Sequence, residues 1–395
     1  MIPFDDALDI VLRSAHPLDT EPVLLHDARG RILAQDVVSD IAMPPFDKSA
    51  MDGFACFRAD LPGPLQVVET VQAGTSPAKA IHSGECAKIM TGAMLPEGAD
   101  CVIMVEHTET ADDGRVLFTK ADTATNICYC GEDVKAGDVV LRRGARLAAQ
   151  HIAALAAAGC ARPLVAQGPR VAVIATGDEL VEPDTRPGAS QIRNSNSYQI
   201  YAQMEQTGAV VTYYGIASDT AAALDAVIKH AVSENDVLLL SGGVSMGDFD
   251  LVPQALTDNG FEILFDAIAM KPGKPTTFGV SDTACCFGLP GNPVSTFVQC
   301  EILVKPFLYA MMGHQYKPAC SWHPLAEAFK RKKRSREAWV PVTLTENGAA
   351  RPAAYHGSAH INALCDAYGF ITVPQNVATL AEGAMVRVMP IVPSG

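Results

Sequence analysis

Between Arg170 and Met312, short apolar runs alternate with longer segments in which apolar residues recur at helical spacing. Uninterrupted apolar runs are typical of strands that are buried on both faces of a parallel sheet, and the segments between them are typical of covering helices. The sequence therefore predicts an α/β domain with a mostly parallel sheet. The predicted elements are strand Val171–Thr176, helix Asn194–Gln206, strand Val210–Ile216, a helix N-capped by Ser218 or Asp219 and ending at Val232, strand Asp236–Leu240, a short helix to Leu256, strands Ile263–Ile268 and Cys285–Leu289, and helix Pro293–Met312.

Two further helices are predicted nearer the N-terminus. Apolar residues from Phe4 to Ala15 recur at helical spacing, which predicts an amphipathic helix before Pro17. An alanine-rich helix is predicted from Ala148 to Ala158, and Gly159 stops it. We expect these two helices to pack against each other.

The rest of the chain has β-type patterns. Strands are expected at Pro22–Leu25 and Arg31–Val38, on either side of a turn at Gly30. Short apolar runs broken by glycine and proline fill residues 54–140 and 318–395. Each of these two regions is predicted to form a small β domain.

Length and composition indicate a folded protein of several domains. The 395 residues exceed what one ordinary core accommodates, so about two to four domains are expected. Hydrophobic residues make up 48% of the chain and charged residues 19%, which argues against disorder. The formal net charge of −14 argues against a nucleic-acid partner, because such binding needs a basic surface.

Neither the cysteines nor the apolar runs indicate export or membrane insertion. The 11 cysteines are scattered and never spaced Cys-x-x-Cys, which argues against a disulfide scaffold or a zinc knuckle. No apolar run approaches the length of a membrane span, and residues 1–6 lack the features of a signal peptide. A cytoplasmic protein without a membrane partner is expected.

One basic run, residues 330–334 followed by Arg336, stands out in this acidic chain. Its first interpretation is a solvated strand edge, because lysines protect edges from unwanted pairing. A local patch that faces an anion is the second, and nuclear targeting is the third.

The loop after the strand Asp236–Leu240 carries the strongest chemical signal. Gly242 and Gly243 can adopt positive φ and let a ligand approach the backbone, whose N–H groups then form an anion cradle beside Ser241. Asp248 and Asp250 add two carboxylates to the same loop, which indicates a phosphate bridged by a metal ion. The alternative is a tight turn that leads into a solvated, acidic helix start.

The same loop fits the nucleophile elbow of serine hydrolases. Residues 243–247 read Gly-Val-Ser-Met-Gly, with Ser245 at the nucleophile position. An elbow needs an acid and then a histidine later in the chain. The later histidines are His314, His323, His356 and His360, all beyond the α/β region.

Polar motifs cluster at the predicted carboxyl ends of the strands, where open α/β sheets bind ligands. Lys271 and Lys274 lie in a proline-rich turn and suit a compact oxyanion. Carboxylates at these ends could hold Mg²⁺ against a pyrophosphate, which would permit transfer or cleavage at a phosphoanhydride. Each acid alone is better explained as a helix cap or a solvated side chain. The acids concerned are Asp178, Glu179, Asp219, Asp248 and Asp250.

A second metal candidate is weaker. His356 and His360 are spaced i, i+4, which would suit a metal ion on a helix. The glycine between them argues for a loop instead.

Taken together, the motifs resemble the molybdopterin molybdenumtransferase family, the group of MoeA and the gephyrin E domain. They occur in the family's order and span nearly the whole chain. The matching stretches are Pro45-Phe-Asp-Lys-Ser-Ala-Met-Asp-Gly-Phe-Ala55, Ile89-Met-Thr-Gly-Ala93, Gly131-Glu-Asp-Val134, Thr176-Gly-Asp-Glu-Leu180, Ser241-Gly-Gly-Val-Ser245, Lys271-Pro-Gly-Lys-Pro275 and Gly288-Leu-Pro-Gly-Asn-Pro-Val-Ser295.

The resemblance implies four domains and a homodimer. Expected are a discontinuous helical linker domain (1–40 and 141–168), a β insertion domain (41–140), a molybdopterin-binding α/β domain (169–316) and a C-terminal β domain (317–395). The site would lie between the α/β domain of one subunit and the insertion of the other. In this family the serine at the position of Ser245 lies in a substrate-binding loop, which displaces the hydrolase interpretation.

The reaction implied is insertion of molybdate into adenylylated molybdopterin, with release of AMP and with Mg²⁺ or a similar ion. The adenylylated substrate implies an upstream molybdopterin adenylyltransferase as a partner. The catalytic residues implied are Asp52, Thr91, Asp133, Glu179, Asp250, Lys271 and Lys274. Residues implied to bind the pterin and nucleotide are Thr176, Gly177, Asp178, Asp219, Ser241, Gly242, Gly243, Ser245, Pro290, Gly291, Asn292, Arg336 and Ser358. Asp219, Asp248 and Asp250 are the expected metal ligands.

The sequence departs from the family pattern at three places. Cys128-Tyr129-Cys130 stands where the family usually carries an arginine pair, and Asn362-Ala363 replaces a serine pair. The family's C-terminal Arg-x-Glu-Phe-x-Arg-Gly motif is only partly kept from Arg336 onward. These departures leave open a divergent paralogue that uses tungstate, or a molybdopterin-binding or scaffold protein with little catalysis.

Overall fold

The computed structural model describes residues 1–243, 251–353 and 357–391. Its central sheet has six strands, and the mostly parallel α/β arrangement predicted from the sequence is confirmed. Only Pro275–Val280 runs antiparallel to its neighbours, and the remaining pairings are parallel. The strand order is Val210–Ala217, Arg170–Thr176, Val237–Ser241, Cys285–Leu289, Pro275–Val280 and Glu262–Ala267.

The two inner strands bury alternate residues on opposite faces of this sheet. Val173 and Leu239 belong to a core on one face, and Ile174 and Leu240 belong to a core on the other. Because each fully buried aliphatic side chain stabilises the fold by about 1.5–3 kcal/mol, both faces require a cover of helices. Helices Phe4–Arg13, Asn196–Glu205, Pro293–Gln299 and Lys305–Met311 cover the first face, and Ala221–Glu234 and Val252–Asp258 cover the second.

Two local features of this domain differ from the prediction. Thr220, and neither Ser218 nor Asp219, caps the helix Ala221–Glu234, with its hydroxyl accepting a hydrogen bond from the Ala223 N–H at 3.3 Å. The strand Pro275–Val280 was not predicted, because its proline-led start resembles the end of a turn.

The predicted long helix Pro293–Met312 is interrupted. It consists of Pro293–Gln299, a π-helical turn Cys300–Val304 and Lys305–Met311. Pro306 has no backbone N–H to continue an α-helical ladder, which accounts for the wider turn before it.

The N-terminal helix packs elsewhere than expected. Ala7 and Val11 are buried in the α/β core, whereas the helix Ala149–Ala157 contributes Leu155 to a separate cluster. The expected packing of the two helices against each other is therefore wrong. The reason is a long-range pairing, in which the Ile2 N–H donates to the Ala267 carbonyl at 3.0 Å and holds the helix on the α/β domain.

The segments around residues 20–40 and 139–166 form two small ladders. Strand Thr20–Pro22 pairs with Leu164–Ala166, and Val37–Val38 pairs with Val139–Leu141. Of the expected strand Arg31–Val38, only the last two residues are a strand, because Ile32 and Leu33 make single bridges. The expected strand Pro22–Leu25 starts where the observed one ends.

The insertion contains a four-stranded sheet with apolar clusters on both faces. One cluster contains Phe54 and Ile103, and the other contains Ile89 and Val102. The strand order is Gln66–Val71, Glu85–Ile89, Gly53–Cys56 and Cys101–Met104, and Lys48–Ser49 with Ile127–Cys128 and Thr108–Thr110 with Val116–Phe118 form two ladders beside it.

The C-terminal sheet includes a strand from the α/β region. Met270–Lys271 pairs in parallel with Glu337–Leu344, so the turn that contains Lys271 is joined to the C-terminal sheet. The other strands of this sheet are Gly369–Val373, Met385–Pro390, Ser321–Pro324 and Ala350–Pro352. The remaining strands are Phe329–Lys330 with Thr379–Leu380 and Leu180–Val181 with Ile192–Arg193, and 3₁₀ turns lie at Leu25–Asp27, Arg58–Asp60, Val105–His107 and Ile361–Leu364.

No helix in the described part of the chain is long and apolar enough to cross a membrane.

Replacing Leu239 by alanine should destabilise the protein by about 2–5 kcal/mol, because the side chain is fully buried on the central strand and its loss leaves a cavity. Val210→Ala is the matched control, since Val210 is 60% exposed on the edge strand of the same sheet. Urea unfolding of both variants checks this expectation. Equal midpoints for the two variants would contradict the assignment of Leu239 to the core.

Candidate functional site

A cavity of about 1050 Å³ lies at the carboxyl ends of the parallel strands. Loops that follow all four of these strands form one wall, and the C-terminal β region forms the opposite wall. The structure thus brings together most of the candidate residues from the α/β and C-terminal regions. Those that line the cavity are Thr176, Gly177, Glu179, Asp219, Gly242, Gly243, Lys271, Lys274, Pro290, Gly291, Asn292, Arg336 and Ser358.

The glycine loop requires glycine on steric grounds. Gly242 and Gly243 have φ values of +101° and +62°, in the region that L side chains rarely adopt. A Cβ atom at Gly242 would collide with the Thr176 carbonyl oxygen. The Thr176 hydroxyl oxygen is buried and has no hydrogen-bond partner among the described residues. The Gly242 N–H is not free for the expected anion cradle, because it donates to the Leu289 carbonyl at 3.1 Å. The Thr176 hydroxyl is the polar group beside this loop that remains for a ligand.

Asn196 was missed by the sequence reasoning. Its Nδ2 donates to the Ser241 hydroxyl at 2.8 Å and to the Gly291 carbonyl at 2.9 Å. Ser241 itself is buried beneath the cavity and does not line it in the described structure. Asn196 thereby ties the two loops together. Its position at the start of a helix indicates a cap, and only the folded sheet shows what it joins.

The carboxylates of Asp178 and Asp219 bind each other's backbone. The Asp219 N–H donates to Asp178 Oδ1 at 3.1 Å, and the Asp178 N–H donates to Asp219 Oδ2 at 3.3 Å. Asp219 lines the cavity with Glu179, whereas Asp178 is exposed and is not among the lining residues.

Of the three predicted metal ligands, the structure describes only Asp219. Asp248 and Asp250 lie outside the described residues, as does Ser245. Within the described ranges, no group of three or more histidine, cysteine or acidic residues is arranged to hold a metal ion. Paired carboxylates that share the site with a substrate's oxygens still fit the ligand preference of Mg²⁺, which often takes only one or two protein carboxylates.

The opposite wall is strongly basic. Arg336 lies beside the turn of Lys271 and Lys274, and its guanidinium donates to the Met270 carbonyl at 3.1 Å. Residues 330–333 line the same wall, so the structure favours the anion-facing interpretation of the basic run over the solvated strand edge. Arg331 fixes this run, because it donates to the carbonyls of Val377 at 2.7 Å, of Arg336 at 2.8 Å and of Pro374.

Ser358 is placed by a contact between two regions of the chain. The Val294 N–H, at the start of the helix Pro293–Gln299, donates to the Ser358 carbonyl at 3.0 Å. The neighbouring departure, Asn362-Ala363, lines a different cavity with Glu327 and Arg351. The changed pair therefore does not alter the wall of the strand-end cavity.

The three candidates from the insertion do not line this cavity in the described chain. Asp52 Oδ1 accepts hydrogen bonds from the Thr91 N–H at 2.7 Å and from the Thr91 hydroxyl at 2.8 Å. These bonds lower the pKa of Asp52, so its carboxylate stays ionised. Asp133 is also exposed on the insertion. The structure brings Asp52 and Thr91 together, and neither is among the residues that line the strand-end cavity.

The turn that lacks the arginine pair is closed by carboxylates instead. The Cys130 N–H donates to Asp47 Oδ1 at 2.7 Å, and the Tyr129 N–H donates to Glu132 Oε2 at 2.9 Å. Tyr129 and Cys130 are exposed, so this turn presents a phenol and a thiol where the family presents cations.

The described histidines give the hydrolase interpretation no support. His314 Nδ1 is hydrogen-bonded to the Gly144 carbonyl at 2.8 Å. His323 uses both ring nitrogens, one with the Gly348 carbonyl and one with the Ser321 hydroxyl. His356, the first member of the histidine pair considered for metal binding, lies outside the described residues.

Three family models match the chain in consecutive segments. They are the MoeA N-terminal region (domain I and II) over residues 2–159, a probable molybdopterin binding domain over residues 172–310, and the MoeA C-terminal region (domain IV) over residues 324–391.

Relatives and solved structures match over nearly the full length. The molybdopterin molybdenumtransferase of Bacillus subtilis (strain 168) is 33% identical over 404 residues, which covers 99% of this chain and 94% of that protein. The protein of the same name from Staphylococcus epidermidis is 35% identical over 375 residues, covering 92% of this chain and 90% of that protein. A crystal structure of a molybdopterin biosynthesis MoeA protein from Pyrococcus horikoshii has a TM-score of 0.86 at 29% identity and covers 99% of this chain and 100% of that one.

Gly242→Ala should distort the glycine loop for two reasons. The new Cβ would collide with the Thr176 carbonyl oxygen, and an alanine at this positive φ would be strained by about 1–3 kcal/mol. Gly208→Ala is the control, since Gly208 has a φ of +88° but open space, with no atom within 4 Å, where a Cβ would stand. Urea unfolding should show a clearly larger loss for Gly242→Ala. Equal losses of stability in the two variants would contradict the predicted collision between a Cβ at residue 242 and Thr176.

Proposed function

Because the chain belongs to the molybdopterin molybdenumtransferase (MoeA) family, we propose that it inserts molybdate into adenylylated molybdopterin and releases AMP. It is an enzyme of molybdenum cofactor biosynthesis. The observation that carries the specific reaction is the composition of one cavity, which is lined by a glycine loop, by carboxylates and by a cluster of cations.

The cavity suits a ligand that is larger than a simple oxyanion. Its volume of about 1050 Å³ reaches the upper end of small-molecule sites, which are about 300–1000 Å³. A substrate that carries a pterin, two phosphates and a nucleoside, with molybdate beside it, would make use of such a volume. The basic wall complements the several negative charges of these reactants.

Each side of the cavity has a role in the proposed reaction. The Thr176 hydroxyl and the Gly243 N–H receive a phosphate, and the ammonium groups of Lys271 and Lys274 hold molybdate or phosphate, with Arg336 and Ser358 beside them. When the pterin dithiolate sulfurs replace a molybdate oxygen, that oxygen leaves as water. Cleavage of the phosphoanhydride consumes one water. The exchange therefore needs no external oxidant or reductant.

Mg²⁺ would be held by Asp219 with Asp178 nearby, and by Asp248 and Asp250 from the loop outside the described residues. Bound there, the ion would neutralise charge on the phosphoanhydride. Glu179 lines the same cavity and adds a further carboxylate to it.

We assign the insertion residues to the site of a second subunit. Asp52, Thr91 and Asp133 are exposed, and they do not line the cavity of their own chain as far as it is described. A homodimer in which the insertion covers the partner's strand ends would bring them to the reactants. The four domains would then be 1–40 with 141–168, 41–140, 169–316 and 317–395, with the N-terminal helix packed on the third.

The substrate implies an upstream enzyme, and the cysteines fit a cytoplasmic location. An adenylyltransferase must act first to supply the adenylylated pterin. All eleven cysteines are unpaired thiols, which fits the reducing cytoplasm.

Purified protein supplied with adenylylated molybdopterin, molybdate and Mg²⁺ should release AMP, and Lys274→Met should lower this rate about 10- to 100-fold because a charge that holds the oxyanion is removed. Lys229→Met is the control, since Lys229 is exposed and pairs with Asp225 on the helix Ala221–Glu234. Chromatographic quantification of AMP measures the rate. Equal rates for wild type and Lys274→Met would exclude this lysine from the reaction, and tungstate in place of molybdate tests the choice of oxyanion.

Mixing Asp52→Asn with Lys274→Met should restore activity that neither variant has alone. Random exchange of subunits would recover about a quarter of the wild-type rate, because half of the dimers would be mixed and each would hold one intact site. The same AMP measurement on refolded mixtures checks this. If mixtures stay as inactive as the separate variants, Asp52 and Lys274 do not act in a site shared between subunits.

A further inference from the structure

The turn that carries Lys271 and Lys274 rests on a buried amide. Gln299 is fully buried at the end of the helix Pro293–Gln299. Its Nε2 donates to the Gly273 carbonyl at 2.9 Å and lies 3.1 Å from Met270 Sδ. A Cβ at Gly273 would come within 2.5 Å of this nitrogen, so the backbone of the turn lies directly on the amide.

The two lysines are exposed, and the residues between them are buried. All four line the cavity, but Pro272 and Gly273 have little exposed surface, and the Gly273 carbonyl is held by Gln299. The position of this backbone segment relative to Gln299 therefore determines how far the two ammonium groups extend into the cavity. The Gly273 carbonyl also accepts from the nearby Thr276 hydroxyl at 3.1 Å, whereas Gln299 reaches it from a separate helix.

The helix that bears Gln299 also begins at the other side of the site. Asn292 precedes its first residue, and Gly291 and Asn292 line the cavity. The Thr296 hydroxyl donates to the Pro290 carbonyl and so fixes that loop to the same helix. With a rise of about 1.5 Å per residue, the helix holds its two ends at a separation of about 9 Å. One rigid element thus supports both the loop and the lysine turn.

The amide group of Gln299 does more than fill space in the core. Its Oε1 is buried and has no hydrogen-bond partner among the described residues. Burying an unpaired amide oxygen costs free energy, and an apolar side chain of the same size would avoid that cost. What an apolar side chain cannot do is hold the Gly273 carbonyl at a defined distance.

We propose that Gln299 is a positioning residue for oxyanion binding, because it sets the position of Lys271 and Lys274 relative to the Gly291–Asn292 loop. The identity of the oxyanion rests on the proposed function, but the mechanical role does not. Gln299 acts through the turn and touches neither reactant.

The test measures equilibrium binding of molybdate, with sulfate as a second probe, by tryptophan fluorescence. Trp339 lines the cavity, and the chain's other tryptophan, Trp322, is 65% exposed and is removed as Trp322→Phe in every variant. Gln299→Met keeps the length of the side chain and loses the donor. It should raise the Kd for molybdate about fivefold or more, the loss that one net hydrogen bond of about 1 kcal/mol would give.

A double-mutant cycle separates positioning from general destabilisation. In a Lys274→Met background, Gln299→Met should change the Kd by a clearly smaller factor than in the wild-type background, because one of the two charges that it positions is already absent. Gln203→Met is the matched control. Gln203 is also a buried amide, and it donates to Phe297 and Glu301 on the same helix but away from the turn, so its loss should lower stability without changing the Kd.

Two results would overturn the inference. One is an unchanged Kd in folded Gln299→Met, or in Gln299→Asn if the methionine variant does not fold. The other is the same fold-change with and without Lys274, which a merely structural role would give. If wild type binds molybdate but releases no AMP, the transferase proposal fails and the role of Gln299 stands. If wild type binds neither anion, the lysine turn is not an oxyanion site and the inference fails.

Discussion

Like-charge repulsion is the constraint on which the site depends. Seven lysine and arginine residues line the same cavity in a chain of net charge −14, namely Lys271, Lys274, Lys330, Arg331, Lys332, Lys333 and Arg336. Two unit charges 4 Å apart repel by about 1 kcal/mol in water and by about 4 kcal/mol near a protein surface. The fold has to hold these groups together by contacts made elsewhere, and a bound anion would relieve the repulsion.

The contacts that meet this constraint belong to the backbone. Met270–Lys271 extends the C-terminal sheet, Arg331 uses its guanidinium to bind three carbonyls, and Gln299 supports Gly273 from below. Charged heads therefore remain in the cavity while the segments that carry them are fixed. The junction between the α/β region and the C-terminal sheet is consequently also the wall of the site.

The sequence predicts the α/β domain well because its signal is local. The run Cys285–Leu289 is wholly apolar, and the observed strand has the same bounds. Motifs that are far apart along the chain, such as Thr176-Gly177 and Gly291-Asn292, meet because parallel strands end at one edge of a sheet. Topology alone was enough to predict that they share a site.

What could not be predicted depends on contacts between distant elements. Asn196 and Gln299 each look like ordinary helix residues until the loops they hold are in place. The N-terminal helix has a clear period, but the period does not say which surface will cover it. The basic run carries no local sign that Arg331 turns it toward the cavity.

The most direct test of the central claim is anomalous diffraction at the molybdenum edge from crystals soaked in molybdate. The account predicts a peak within hydrogen-bonding reach of the ammonium groups of Lys271 or Lys274, on the side that faces Arg336. A peak confined to other surfaces, or the absence of any peak at saturating molybdate, would contradict the claim that this basic wall holds the oxyanion.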